Sequence, residues 1–65
     1  MAVIEELSEL LGLPAEKLRF LLEQLRDHPR GAWHDVGGVR GAWTMSRGVV
    51  IERYEQFDCS PEDLL

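Results

Sequence analysis

Two leucine stripes separated by a single glycine constrain this chain more than any other feature. Leu7, Leu10 and Leu11 close the first stripe, Leu18, Leu21, Leu22 and Leu25 make the second, and Gly12 lies between them. A helical period of 3.6 gathers each set onto one face. Glycine takes positive φ at little steric cost, which ends one helix and turns the backbone sharply into the next. A first helix is expected over residues 2–11, with Val3, Ile4, Leu7, Leu10 and Leu11 as its apolar face. Glu5, Glu6 and Glu9 form its solvated face, near the helix end whose dipole favours negative charge. A second helix is expected to start at Pro14, whose fixed φ and absent amide suit a first helical position, and to stop before Pro29. Its outward residues are then Ala15, Glu16, Lys17, Arg19, Phe20, Glu23 and Gln24.

The middle of the chain changes period. Val36 and Val39 bracket Gly37-Gly38, a dipeptide that supplies the two positive-φ positions of a type I′ turn. Pairing outward from that turn sets Asp35 opposite Arg40, His34 opposite Gly41 and Trp33 opposite Ala42. Trp33 and Trp43 are expected in the core, as tryptophan in a small domain generally is. Residues 49–57 support two readings. As a helix, Val50, Tyr54 and Phe57 share a face; as a strand, Val49, Ile51 and Phe57 do, and β-branched Val49, Val50 and Ile51 lean toward strand. Ser60-Pro61-Glu62-Asp63 has the cap, first-turn proline and early acids of a helix start, followed by Leu64 and Leu65.

With Gly12 at the turn, Ser8 falls where two helices approach closely, and Leu7, Leu11, Leu13, Leu18 and Leu21 fall at buried places, so residues 4–23 resemble the helix-turn-helix family. A glycine-tipped hairpin over residues 31–45 follows, and the combination resembles the winged-helix family. The resemblance implies an α+β fold, a single small winged-helix-like domain over residues 1–65, in which the helix pair precedes a hairpin of two or three strands. It departs from the family at the front, because the helix that generally precedes the pair is missing; residues 49–57 are the expected replacement. The function implied is DNA binding and transcriptional regulation. Ala15, Glu16, Lys17, Arg19 and Phe20 would enter the major groove of double-stranded DNA, and Arg40 on the wing would meet the backbone. The alternative is an acidic winged-helix module for protein binding, with Phe20, Val50, Tyr54 and Phe57 at the interface. Uncovered leucine stripes and an outward Phe20 lead to the expectation of a homodimer.

Composition bounds these readings. At 65 residues the core barely offsets chain entropy, which favours a partner or a second copy. A net charge of −5 argues against a strong nonspecific grip on nucleic acid, since lysine and arginine supply that grip. The charge is uneven: residues 28–48 carry +2, while residues 1–13 carry −3 and residues 49–65 carry −4. No run of about eighteen apolar residues is present to span a membrane, and the acidic start does not read as a secretory signal. A single Cys59 suits a reducing cytoplasm and reads as a small hydrophobe. His28, His34, Asp35, Asp58 and Cys59 lack the spacing of a metal or catalytic motif, so neither enzyme activity nor a cofactor is expected.

Overall fold

The computed structural model describes residues 3–28 and 30–65. Helices α1 (Val3–Leu11) and α2 (Ala15–Asp27) lead into strands β1 (His34–Val36), β2 (Val39–Thr44), β3 (Gly48–Ile51) and β4 (Glu55–Phe57), and a short helix α3 (Pro61–Leu64) closes the chain. Ala2, expected in the first helix, and Pro29, expected to stop the second, lie outside the described residues.

The turn between α1 and α2 forms as the glycine requires. Gly12 has φ +69°, the Leu13 amide donates to the Ser8 carbonyl at 3.1 Å, and the Ser8 hydroxyl donates to the Leu13 carbonyl. Ser8 therefore ties the turn together. Pro14 is the N-cap of α2 rather than its first residue, with φ −61° and ψ 136°. At the other end His28 is extended, with φ −108° and ψ 156°.

Leu18, Leu21, Leu22 and Leu25 are fully buried, and Ile4, Leu7 and Leu11 pack with them. The apolar face of α1 is narrower than the sequence reading. Val3 is 47% and Leu10 66% exposed. Both lie roughly 70–95° from the centre of the Ile4, Leu7 and Leu11 stripe. Because α1 packs chiefly against α2, only that one stripe is covered.

The four strands form one antiparallel meander in the order β1-β2-β3-β4. In the first hairpin His34 pairs with Gly41, Asp35 with Arg40 and Val36 with Val39. The ladder ends at His34, so Trp33 has no strand partner. Residues 49–57 are neither a helix nor one strand. They belong to a second hairpin, in which Val49 pairs with Phe57 and Ile51 with Glu55. Alternation then places Val39, Gly41 and Trp43 of β2 with Val49 and Ile51 of β3 and Phe57 of β4 on the face toward the helices. Helix α2 lies directly over Gly41, where a Cβ would come within 3.0 Å of Leu21 Cδ2. Trp33 is not a core residue: it is 50% exposed, with the Arg40 guanidinium 5.4 Å from its ring centre on the sheet's outer side.

Helix α3 completes the core. Pro61 and Leu64 are buried, and α3 packs on α2. The α2 stripe is thus covered within one chain by α1, the sheet and α3, while Leu10 of the α1 stripe stays exposed. The Asp63 carboxylate accepts from the Ser60 amide at 3.3 Å and from its hydroxyl at 3.1 Å. Such caps contribute about 1 kcal/mol, so Asp63→Ala is expected to lower stability by ~0.5–2 kcal/mol in a urea melt with unchanged slope.

Candidate functional site

In an antiparallel meander alternate turns lie at the same end of the sheet. The turn at Gly37-Gly38 and the turn at 52–54 therefore share one end, and residues 45–47 occupy the other. The start of α2 joins the first of these ends, because Lys17 Nζ donates to the Gly37 carbonyl at 3.2 Å. Arg40 links the two turns through an ion pair with Glu52 at 3.3 Å, and the Glu52 amide donates to the Arg40 carbonyl at 2.7 Å. The Asp35 carboxylate accepts from the Gly38 amide at 3.2 Å and fixes the tip.

Of the residues singled out from the sequence, the fold brings Ala15, Glu16, Lys17, Arg19 and Arg40 to this end. Ala15 is half-buried, whereas Glu16, Lys17, Arg19 and Arg40 are exposed. Arg19 makes no ion pair or hydrogen bond among the described residues. Lys17 uses one of its three donors on Gly37 and keeps its charge in solvent. Phe20 is 51% exposed, facing away from the buried stripe of α2. Val50, Tyr54 and Phe57 do not form one surface. Val50 faces the outer side of the sheet, Phe57 packs against the core, and Tyr54 sits in the second turn. Sequence reasoning passed over Arg53, which the second hairpin carries to the same end as Lys17 and Arg40.

The opposite end holds a cleft of about 320 Å³ between the 45–47 turn and residues 58–60, floored by Trp43 and bordered by Asp58 and Cys59. Trp43 packs on the core with its Nε1 buried and unpartnered, and the Arg30 guanidinium lies 4.6 Å from its ring centre. Burial, with Asp63 and Asp58 nearby, pushes the Cys59 thiol up, which disfavours the reactive thiolate. His28 and His34, separated by the segment that leads from α2 to the sheet, meet edge to face at 3.8 Å. Among the described residues no group of three or more His, Cys, Asp or Glu could hold a metal ion. No helix among them is long and apolar enough to cross a membrane.

The chain matches no protein-family model, no curated protein and no solved structure. Its functional reading therefore rests on the geometry above.

Proposed function

We propose that this is a small winged-helix-like DNA-binding protein, a transcriptional regulator of the cytoplasm, with the first turns of α2 in the major groove and the β1–β2 hairpin as the wing. One observation carries the reading: the Lys17–Gly37 contact holds the start of α2 beside the hairpin tip, so that helix and wing present to one side. The positive end of the α2 dipole and Lys17 lie at the end of the sheet that also carries Arg40, whose side chain is on the outer face. Glu16 would accept from a cytosine amino group, as carboxylates do in the major groove. Glu16, Asp35 and Glu52 share this end with the cations and the chain carries a net charge of −5, so the grip is expected to be modest.

Anisotropy titration against a duplex at low salt tests this. With two or three phosphate contacts, log affinity should fall with log salt at a slope of about −2 to −3. Arg19→Ala should weaken binding and flatten that slope by about one. Absence of duplex binding by the folded protein would overturn the reading.

One observation favours a second reading, a module that binds protein: Phe20 offers a half-exposed ring on the outward side of α2. An acidic domain displaying such an aromatic suits an apolar pocket on a partner. The homodimer expected from the sequence rested on open leucine stripes and an outward Phe20; α3 and the sheet cover the α2 stripe, and Val3, Leu10 and Phe20 remain exposed.

A further inference from the structure

The one residue other than glycine with positive φ is Tyr54, at φ +75°, among the described residues. It is also 95% exposed. A bulky side chain in the left-handed region is strained, and here the ring touches nothing that would repay the strain. The turn itself would tolerate glycine at this position, since its closing bond runs from the residue 54 amide to the Ile51 carbonyl at 2.9 Å and needs no side chain. Structure thus gives no reason for tyrosine here.

Position does. The 52–54 turn lies at the same end as the Gly37-Gly38 tip and is tied to β2 by the Arg40–Glu52 pair. The two tips are two strand spacings apart, about 10 Å. Measured along the duplex axis, that separation is roughly three base steps at about 3.4 Å each. Arg53, beside Tyr54, is exposed and makes no ion pair among the described residues.

We infer that the β3–β4 turn is a second backbone-contacting tip, in which the Arg53 guanidinium pairs with a phosphate and the Tyr54 hydroxyl donates to another on the same strand. This rests on the DNA reading above and extends it to an element the sequence did not mark. Tyrosine hydroxyls and arginines are common phosphate partners, and they fix register on the duplex without reading bases.

Tyr54→Gly separates a contact from a structural role, because it removes the side chain while relieving the backbone. The variant should melt at the same temperature as the parent or higher, yet bind duplex about three- to tenfold more weakly. Arg53→Ala should flatten the salt slope by about one, independently of Arg19→Ala. If the parent binds duplex and both variants bind as tightly, the second tip is overturned while the helix-and-wing interface stands. If the parent does not bind, both fall. If Tyr54→Gly unfolds the domain, tyrosine has a structural role and the inference is overturned.

Discussion

Gly48→Ala is expected to unfold the domain or leave it at the edge of unfolding. Gly48 opens β3 at φ +69°, and a Cβ built there would overlap the Phe57 carbonyl oxygen and lie 2.8 Å from the Cys59 nitrogen. Both obstacles are backbone, so neither can swing aside. The left-handed conformation costs a non-glycine residue ~1–3 kcal/mol, and overpacking adds ~1–3 kcal/mol or more. A domain of 65 residues has a total stability of about 3–10 kcal/mol at the usual value per residue. The two penalties together therefore approach the whole. Loss of the cooperative thermal transition in circular dichroism is the expected result; a melt within a degree or two of the parent would mean that β3, β4 and the 58–60 segment do not meet closely at Gly48.

Leu21→Ala should cost ~2–5 kcal/mol, the range for truncating a buried leucine whose surroundings cannot collapse. Leu21 is fully buried between α2 and the sheet, and it is the side chain nearest the bare backbone of Gly41. Nothing on the strand can fill the gap because Gly41 has no side chain to extend. Leu10→Ala is the internal control. Leu10 is 66% exposed, and its truncation should change stability by less than about 0.5 kcal/mol. Equal losses for the two would show that the α1–α2 pair buries a different face.

Elements whose signals are local were legible in the sequence. The α1 and α2 stripes follow from helical period alone, and the register of β1 with β2 follows from a two-residue turn whose glycines supply the positive φ it needs. The second hairpin was not legible, because its turn contains Arg53 and Tyr54 in place of glycine, with Tyr54 taking the strained φ itself. Without a glycine to break the run, residues 49–57 read as one helix or one strand, with β-branched Val49, Val50 and Ile51 leaning toward strand.

Leu10 and Val3 were misread for a different reason. Periodicity shows which residues share a face but not how wide a strip the neighbouring element covers, and α2 covers only the centre of that face. Trp33 was misplaced although the hairpin register bears on it. In β2 the core face carries Val39, Gly41 and Trp43, so a residue extending the ladder opposite Ala42 belongs to the outer face. The covering of the leucine stripes by α3 depends on the chain returning across α2, which no local pattern encodes. The candidate site divides along the same line. Ala15, Glu16, Lys17, Arg19 and Arg40 could be named from helix phase and turn position, whereas the placing of Arg53 and Tyr54 beside them required the meander that brings two turns to one end.

The DNA reading proposed above requires that one end of the domain, formed by the start of α2 and the two hairpin tips, contact the duplex. Amide chemical-shift mapping of the labelled protein with a duplex of about two helical turns, roughly 20 base pairs, tests it most directly. The predicted result is a set of perturbations at residues 15–20, 37–40 and 52–54, with residues 45–47 and 58–60 at the far end unmoved. Perturbations confined to the far end, or none at duplex concentrations that saturate low-salt binding, would contradict it.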